Sequence, residues 1–428
     1  MSEGKRPINL FRGHPTESLL ARTEVLEGCQ KLLAPQSRPG DNDDEIRHPL
    51  TYGSDPGAEN VRKLIAQWSN KAHGETAYNV PHHDCINLTN GASFGAQMVL
   101  QQATCPHTGY TRRAFVVSPT YFLINKVFED AGFKGKMTAI PEKFESGVDV
   151  DLLEKKLQYY DSLPDESGGL QKVYDTIGGD ESSRKVYKYV MYCVPTFSNP
   201  RGSTMPLEVR RRLIQLARKH DMVILCDDVY DLLKYDPLEA TPPRLVTIDR
   251  TWEDTNKHGN VVSNCTFSKL LGPGLRVGWH ETATPELATQ LSQAGATKSG
   301  GTPAHMNTMV VGEIIKDGTI NKVIANLCKV FGERAEQVKE ELQARIPQAK
   351  VQGGHGGYFI WVTIPNVKAI EVAKKAKQHG LILAPEDDFL VADDEQTVGE
   401  RNGFRVSVSY EPVDRAVQGI DTWASLLK

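Results

Sequence analysis

Short apolar runs alternate with longer amphipathic stretches from about residue 84 onward. The apolar runs predict buried strands because they are short, continuous and rich in β-branched and aromatic residues. They are CINLT (85–89), RAFVVSP (113–119), VYKYVMYCV (186–194), MVILCD (222–227) and VVSNCTF (261–267). The stretches between them predict helices, namely ASFGAQMVLQQA, TYFLINKVFEDAG and PLEVRRRLIQLARKHD. Apolar strands separated by amphipathic helices indicate a mostly parallel sheet that is covered on both faces.

The pattern changes after about residue 305 and predicts a second, smaller domain. Long helical stretches follow, including KVFGERAEQVKEELQARI, and then GGYFIWVTI as a strand. The 428 residues also exceed the roughly 250–300 residues that one core usually serves. We expect a large domain over 49–305 and a small C-terminal domain over 306–428, which the N-terminal segment 1–48 joins. The polar, glycine-rich segment 161–185 is predicted to be a flexible insertion, and 37–48 another loose stretch.

Composition and charge argue against several classes of protein. Hydrophobic residues make up 39% of the chain and charged residues 24%, which is typical of a globular protein. The net charge of −4, with no long basic run, gives no reason to expect a nucleic-acid or membrane partner. The seven cysteines are scattered without metal-ligand spacing, which favours reduced thiols in an intracellular protein without a metal site. No signal peptide or run of about twenty apolar residues is present, so the expected location is cytoplasmic.

Candidate binding residues follow the first two predicted strands, at the sheet edge where ligands bind in open α/β proteins. Gly91, Ala92 and Ser93 open the helix after CINLT. Free N–H groups and the helix dipole at such a position can hold a phosphate, and an ordinary tight turn is the alternative. Tyr121 follows the second strand and either stacks on a flat cofactor or packs in the core.

The next two strand ends carry polar residues that are costly to bury without a partner. Asn199 precedes a proline in PTFSNPRG (195–202) and offers its amide from a rigid turn. Asp227 and Asp228 end the strand MVILCD. A carboxylate at that position requires a positive partner, such as a protonated ring nitrogen, unless it caps a helix.

The stretch NCTFSKLLGPGLRVGW (264–279) places Lys269 between hydroxyl residues and seven positions before Arg276. A lysine amine becomes a good nucleophile when burial or a neighbouring cation lowers its pKa. Arg276 is such a cation and is also a suitable phosphate ligand. Taken alone, the string is more typical of a solvated surface lysine, but the other strand ends favour a buried, reactive amine.

The segments PTFSNPRG, CDDVY, TFSK with GPGLR, and FR occur in an order and spacing that resemble one family. The chain is identified as a member of the fold-type-I pyridoxal-phosphate (PLP) enzymes, specifically the class I and II aminotransferases. The resemblance to this family runs from INLFRGHP to FRVSVSY, with 161–185 as the main unmatched part. In overall style the chain resembles the 2-aminoadipate and aromatic aminotransferases. The resemblance implies an α/β fold with a mostly parallel, seven-stranded type of sheet between helices, plus a smaller α+β domain. It also implies pyridoxal 5'-phosphate as cofactor and a homodimer with shared active sites.

The resemblance implies specific roles for the candidate residues. Lys269 corresponds to the lysine that binds the cofactor aldehyde and later moves protons. Asp227 corresponds to the partner of the pyridinium nitrogen, in preference to Asp228. Asn199 and Tyr230 correspond to the donors to the phenolic oxygen of the ring. The remaining cofactor residues are the stacking Tyr121, the hydroxyl of Thr266, and a phosphate group formed by Gly91, Ala92, Ser93, Ser268 and Arg276.

Three further matches concern the substrate and the second subunit. Arg405 in GFRVSVSY corresponds to the residue that binds the substrate α-carboxylate, with Asn199 and the backbone of Gly13 beside it. Tyr52 corresponds to a tyrosine that reaches the phosphate of the neighbouring subunit. The segment 296–310 lies where the partner subunit approaches the pocket in relatives, and the resemblance assigns no role to its His305.

The expected function is transfer of an amino group from an α-amino acid to a keto acid. 2-Aminoadipate, aromatic or long apolar donors and the acceptor 2-oxoglutarate are favoured by the resemblance. A PLP-dependent lyase, decarboxylase or oxidase would use the same cofactor residues and remains the main alternative. A non-catalytic PLP-sensing module is disfavoured because no DNA-binding helices are fused to the domain, and a structural protein would not require the whole set of residues.

Overall fold

The computed structural model describes residues 6–34, 48–74, 82–167, 184–239, 241–252, 258–302, 304–393 and 401–428. Its strands are β1 (Ile8–Asn9), β2 (Ile86–Thr89), β3 (Arg113–Ser118), β4 (Met137–Lys143), β5 (Gly147–Val148), β6 (Tyr189–Cys193), β7 (Met222–Asp227), β8 (Val261–Thr266), β9 (Gly278–Thr282), β10 (Lys350–Gly353), β11 (Phe359–Thr363), β12 (Leu381–Ile382), β13 (Ala384–Pro385) and β14 (Gly403–Ser407). Its α-helices are α1 (Arg22–Leu33), α2 (Glu59–His73), α3 (Ala92–Ala103), α4 (Leu123–Phe128), α5 (Val150–Ser162), α6 (Leu207–His220), α7 (Leu245–Arg250), α8 (Pro285–Ser292), α9 (Gly295–Lys298), α10 (His305–Lys316), α11 (Thr319–Arg345), α12 (Ala369–Gln378) and α13 (Val413–Leu426).

Two sequence predictions fall largely outside the described residues. The loose stretch 37–48 and the predicted insertion 161–185 contain residues 37–47 and 168–183, respectively, which lie outside those ranges. Both therefore stay predictions. Among the described helices, none combines the length and the apolar character needed to cross a membrane.

Within the described residues, the larger sheet has eight strands in the order β2-β9-β8-β7-β6-β3-β4-β5. Strands β3, β4, β6, β7 and β8 run parallel to one another, whereas β9 is antiparallel to both β8 and β2, and β5 is antiparallel to β4. The two-residue β5 lies at one edge, so seven longer strands form the body of the sheet. All five strands predicted from the apolar runs belong to it, which confirms the predicted mostly parallel α/β sheet.

Apolar side chains pack on both faces of this sheet, and β7 shows how they divide. Ile224 and Cys226 belong to one apolar cluster, while Val223 and Leu225 belong to the other. Side chains alternate between faces along a strand, so Asp227 lies on the same face as Val223 and Leu225. Helix α6 contributes to the first cluster and α3 to the second, which places a helix on each side.

The strands β4 and β9 are not predicted by the apolar pattern, and their polar content explains why. All five residues of β9 are buried, including the carboxylate of Glu281, which is 0% exposed. Its two oxygens lie 2.8 Å from Nη2 of Arg244 and 2.7 Å from Nη2 of Arg250. A buried charge that is paired in this way is tolerated in a strand, but its partners cannot be read from a local sequence pattern.

The C-terminal part of the chain forms a four-stranded antiparallel sheet in the order β10-β11-β14-β13. The strand predicted at GGYFIWVTI is β11, and the long helix predicted before it is part of α11. Strand β1 pairs in parallel with β12, Ile8 opposite Leu381, so the N-terminal segment lies beside the C-terminal part. The domain bounds 1–48, 49–305 and 306–428 stay predictions.

Candidate active site

A cavity of about 210 Å³ lies beyond the carboxyl ends of β6, β7 and β8. Its lining brings together many of the predicted cofactor residues: Ala92, Ser93, Tyr121, Asn199, Asp227, Tyr230, Thr266, Ser268, Lys269 and Arg276. The position agrees with the rule that ligands bind at this edge of open α/β sheets. Gly13, Tyr52, Gly91 and Arg405 are not among the lining residues, and their positions are described below.

Asp227 ends β7, is 8% exposed and lines the cavity. The hydroxyl of Tyr192 donates to its Oδ2 at 2.8 Å, and Nδ2 of Asn264 donates to its Oδ1 at 3.2 Å. Burial raises the pKa of Asp227 to about 6, although the hydrogen bond from Tyr192 acts in the opposite direction. The carboxylate is therefore mostly ionised at neutral pH, and a cation placed in the cavity would stabilise it.

Asp228 lies on the opposite face of the strand from Asp227. Its Oδ2 accepts a hydrogen bond from the hydroxyl of Ser263, and its backbone N–H donates to the carbonyl of Asn264 at 3.1 Å. It is not among the residues that line the cavity. The alternation of side chains along β7 thus separates the two acids, and Asp227 is the one that reaches the cavity.

Lys269 ends the short 3₁₀ turn Phe267–Lys269 that follows β8. Its Nζ donates to the backbone carbonyl of Gly13 at 3.3 Å and lies 5.7 Å from the ring centre of Tyr230. Burial lowers the pKa of the amine to about 8, the charge of Arg405 lowers it further, and that of Asp227 partly offsets both. A lysine in this setting is a reactive amine close to neutral pH.

The first turn of α3 and Arg276 together form a cationic, donor-rich part of the cavity. Within the described residues, no side chain caps α3, so its first N–H groups point outward beside Ser93. The guanidinium of Arg276 donates to the carbonyl of Asn90 at 3.1 Å, and a Cβ at Gly91 would lie 2.6 Å from its Nη2. Gly91 also has a φ of +88°, so a glycine is required there for two reasons. This arrangement suits a phosphate group.

The hydroxyls of Thr266 and Ser268 lie beside this part of the cavity. Their Oγ atoms are 2.9 Å apart, and the backbone N–H of Ser268 donates to Oγ1 of Thr266 at 3.1 Å. Thr266 also lies 3.1 Å from the carbonyl of Val277, which orients it. Thr266 therefore fixes Ser268, and both side chains line the cavity.

Arg405 is buried at 3% exposure, one residue layer away from the cavity lining. Its Nη1 donates to Oδ1 of Asn199 at 2.6 Å, and its Nη2 donates to the carbonyl of Phe11 at 2.5 Å. Within the described part of the chain, its Nε has no hydrogen-bond partner and no carboxylate forms an ion pair with it. Burial lowers the pKa of Arg405 to about 10, so the group remains a cation at neutral pH. A buried guanidinium of this kind has capacity for a carboxylate ligand.

Tyr121 and Tyr230 line the cavity beside these charged groups. Burial raises the pKa of Tyr121 to about 12 and raises that of Tyr230 as well, so both hydroxyls keep their protons at neutral pH. Tyr230 also exchanges a hydrogen bond with the side chain of Asn199. Both phenols can therefore act as hydrogen-bond donors.

Gly13, Tyr52 and His305 have different relations to the cavity. Gly13 approaches Lys269 through its carbonyl, and a Cβ there would lie 2.7 Å from the ring of Phe359. Tyr52 is 79% exposed and does not line the cavity of its own chain. His305 begins α10, is 8% exposed and packs against Gly53, where a Cβ would lie 2.7 Å from its Nδ1. The segments around Tyr52 and His305 thus lie together.

Sequence reasoning does not single out Tyr192, Asn264 or Tyr358, which support the predicted residues. Tyr192 and Asn264 both donate to Asp227, and Asn264 also donates to the carbonyl of Ala92 at 2.9 Å. The hydroxyl of Tyr358 donates to the carbonyl of Lys269 at 2.9 Å. A polar residue inside an apolar strand, such as the asparagine in VVSNCTF, is a signal that could have indicated Asn264.

Comparison with known proteins identifies the family of the chain. The sequence matches the family described as "Aminotransferase class I and II" over residues 40–420. This chain belongs to that family. It is a pyridoxal-phosphate-dependent aminotransferase with the type I fold.

The relatives extend over nearly the whole of this aminotransferase. It is 44% identical to "Uncharacterized protein YER152C" of Saccharomyces cerevisiae, over 99% of this chain and 97% of the relative. It is 30% identical to a 2-aminoadipate transaminase of Thermus thermophilus, over 95% of this chain and 86% of the relative. The Pyrococcus horikoshii kynurenine aminotransferase in complex with PMP has a TM-score of 0.77 and 24% identity, with 99% of this chain and 91% of that one covered. The last comparison establishes the shared fold.

The cavity of this aminotransferase fits pyridoxal phosphate. The uncapped start of α3, with Ser93, Ser268 and Arg276, offers donors and positive charge to a phosphate. Asp227 is a buried carboxylate that a protonated ring nitrogen would stabilise, and Lys269 is an amine with a lowered pKa that suits an aldehyde. Each part of the cofactor thus has a matching group in the cavity lining.

Proposed function

We propose that this aminotransferase transfers the amino group of an aromatic, long apolar or 2-aminoadipate donor to 2-oxoglutarate in a ping-pong scheme. The observation that carries the proposal is the position of Arg405. It is a buried cation beside the cavity of Lys269, with a free Nε and without a carboxylate partner among the described residues. A free α-amino acid supplies the carboxylate that such a guanidinium binds as a fork.

We assign the chemical roles to residues of this chain as follows. Pyridoxal phosphate, when bound, supplies an aldehyde that condenses with amines and a ring that withdraws electrons from the substrate Cα. Arg405 binds the α-carboxylate and so orients the Cα hydrogen toward Lys269. Lys269, with a pKa of about 8, would take the proton from Cα and return it to the carbon that was the cofactor's aldehyde carbon. Asp227 keeps the ring nitrogen protonated, and Asn199 and Tyr230 donate hydrogen bonds to the phenolic oxygen.

The proposed phosphate site consists of the first turn of α3 and the cationic group beside it. Tyr121 is proposed to stack on the ring, which its position in the lining permits. The phosphate ligands are the backbone of Gly91 and Ala92, the hydroxyls of Ser93, Thr266 and Ser268, and the guanidinium of Arg276.

A cluster of three phenylalanines, two of which (Phe11 and Phe389) lie next to Arg405, supports a donor with an aromatic or long apolar side chain. Phe11 lies 5.9 Å from Phe122 and 6.4 Å from Phe389, and Phe122 lies 6.1 Å from Phe389, between ring centres. The guanidinium of Arg405 is 4.6 Å from the ring centre of Phe389. A substrate held by this guanidinium would place its side chain beside apolar rings. The named activity of the Thermus thermophilus relative adds 2-aminoadipate to the proposed donors.

We further propose a homodimer with shared active sites. Tyr52 is largely exposed and packs against Gly300, where a Cβ would lie 2.9 Å from its ring. The segments 50–55 and 296–302 therefore lie together, and they form the surface that would meet the partner's cofactor phosphate. The site of one chain would then be completed by the Tyr52 hydroxyl of the other.

The experiment is a donor panel with the holoenzyme and 2-oxoglutarate, scored by glutamate formation. Phenylalanine, tyrosine, leucine and 2-aminoadipate should yield glutamate, and an amine without a carboxylate should not. The Lys269→Ala variant serves as the inactive control. If no donor yields glutamate while an amino acid is consumed with release of ammonia, carbon dioxide or peroxide, the lyase, decarboxylase or oxidase alternative replaces this proposal.

A further inference from the structure

Glu142 is a buried carboxyl group that lies outside the cavity lining. It belongs to β4 and is 6% exposed. Its Oε1 accepts a hydrogen bond from the hydroxyl of Ser203 at 2.9 Å, and Oγ of Ser203 lies 2.7 Å from Oγ of Ser198. Among the described residues, no basic group forms an ion pair with it. A buried acid without such a pair is costly, so its retention requires a structural or functional reason.

The two serines that follow Glu142 in this chain of hydrogen bonds close the turn that carries Asn199. The backbone N–H of Ser198 donates to the carbonyl of Ser203 at 2.9 Å, and the N–H of Gly202 donates to the carbonyl of Ser198 at 2.7 Å. Asn199 is the next residue after Ser198, and its Oδ1 accepts from Arg405 at 2.6 Å. A displacement of the turn would therefore move the atom that orients the guanidinium.

Arg210 holds the two ends of the segment that contains this turn. Glu142 and the serine pair contact the middle of the segment. The guanidinium of Arg210 donates to the carbonyl of Pro195 at 2.9 Å and to that of Met205 at 3.0 Å. It also donates to Oγ1 of Thr196 at 2.9 Å. With both ends fixed, the serine pair and Glu142 are among the contacts that set the position of the turn around Asn199.

We propose that Glu142 is a positioning residue for substrate binding, because through Ser203 and Ser198 it fixes the turn whose Asn199 orients Arg405. The proposal rests on the proposed function in one respect, namely that Arg405 binds the substrate carboxylate. Glu142 touches neither the cavity nor Arg405, so its effect is transmitted by the turn alone.

The direction of the hydrogen bonds in this chain depends on the protonation state of Glu142. The ionised carboxylate accepts from Ser203, whose oxygen then accepts from Ser198. The neutral carboxyl group can donate to Ser203 instead, which reverses the chain and weakens the closure of the turn. Burial raises the pKa of Glu142 to about 7, while the hydrogen bond from Ser203 and the charge of Arg201 lower it. Arg201 is on the turn itself, and the facing strand β5 (Gly147–Val148) contributes no titratable side chain.

Binding of 3-phenylpropanoate to the holoenzyme, measured by calorimetry, tests the inference. This probe has the carboxylate and an apolar side chain but no amino group, so it reports binding without turnover. Between about pH 6 and about pH 9, the wild-type affinity should rise as Glu142 ionises. Glu142→Gln and Ser203→Ala should both remove that component of the pH dependence, and Ser203→Ala should weaken binding about tenfold above about pH 8. Steady-state assays should show the loss mainly in KM.

Thr111→Val is the matched control variant. Thr111 is 0% exposed, donates to the carbonyl of Tyr187 at 2.7 Å and accepts from the N–H of Cys105 at 2.7 Å. The Thr111→Val variant loses a buried hydroxyl hydrogen bond, as Ser203→Ala does, but at the opposite end of β3. Its melting temperature should therefore fall without a change in probe affinity. A general loss of stability is thereby separated from a loss of positioning.

A variant of Arg405 separates the two possible failures. If Arg405→Lys weakens probe binding while Glu142→Gln and Ser203→Ala bind with wild-type affinity and pH dependence, the inference on Glu142 is overturned and the proposed function stands. If Arg405→Lys also binds normally, the proposed role of Arg405 is wrong and the inference falls with it. If both Glu142→Gln and Ser203→Ala change binding as expected and Thr111→Val does not, the positioning role is supported.

Discussion

Replacing Asp227 by asparagine should raise the stability of this aminotransferase and lower its activity. The carboxylate is 8% exposed, and burial raises its pKa from 3.8 to about 6. An acid with a raised pKa holds its proton more tightly in the folded state, so the free energy of unfolding falls as pH rises from about 4 through about 6. The change in pKa corresponds to a destabilisation of the folded state by about 3 kcal/mol, and this cost is fully present above about pH 7.

Asparagine cannot ionise, so Asp227→Asn removes this cost. It can still accept from the hydroxyl of Tyr192, but its amide group would face Nδ2 of Asn264, and the loss of that hydrogen bond costs about 1–2 kcal/mol. The cofactor-free variant should therefore unfold at pH 8 with a free energy about 1–2 kcal/mol higher than the wild type, and with less dependence on pH. Urea denaturation at about pH 5 and about pH 8 measures both quantities.

The same substitution should lower turnover by about a thousandfold or more, because a neutral amide does not hold the proposed proton on the ring nitrogen. The half-reaction of the holoenzyme with a single donor reports this loss without an acceptor. Asp228→Asn is the comparison, because Asp228 is also buried but accepts a hydrogen bond from Ser263 and does not line the cavity. A larger loss of turnover in Asp228→Asn, or a strongly destabilised Asp227→Asn protein, would refute the reasoning.

Four further predictions concern three other residues of the site. Borohydride reduction of the holoenzyme should attach the cofactor to Lys269, and peptide mapping that finds the label elsewhere would contradict the assignment. Lys269→Ala should fold and retain cofactor through the phosphate site but lose turnover. Arg405→Lys should raise the donor KM about tenfold or more with a smaller change in kcat, because a point charge does not reproduce the guanidinium fork. Tyr52→Phe should weaken cofactor binding without unfolding the chain, as followed by dialysis and absorbance, whereas a fully active monomer would argue against shared sites.

The parts of the fold and site that follow from local pattern could be predicted from the sequence. The five apolar strands follow from the local pattern, whereas the preference for Asp227 over Asp228 comes from the family resemblance, and Asp227 is the one of the two that lines the cavity. The helix start at Gly91 and the lysine after VVSNCTF also follow strands directly. Each of these predictions depends on a few consecutive residues and on the rule for strand ends.

The parts that depend on pairing between distant segments could not be predicted. Strand β9 tolerates the polar residue Glu281 because its carboxylate pairs with Arg244 and Arg250. Both arginines are more than thirty positions away from it along the chain. The donors to Asp227 come from Tyr192 and Asn264 on the two neighbouring strands, and only the register of the sheet brings them together. No local spacing encodes such a register.

The same distinction separates the cofactor side of the site from the substrate side. Apart from Tyr52, the proposed cofactor residues lie at or just beyond the strand ends of one sheet. Arg405, in contrast, is held by Asn199 from the turn after β6 and by the carbonyl of Phe11 from the N-terminal segment. A carboxylate bound by this guanidinium would compete for or reorient these hydrogen bonds, and a shift of the Phe11 backbone would carry its ring along. The proposed binding of the α-carboxylate and the fit of the side chain are therefore physically coupled, which favours a donor pocket that adapts to several side chains over one that is built for a single shape.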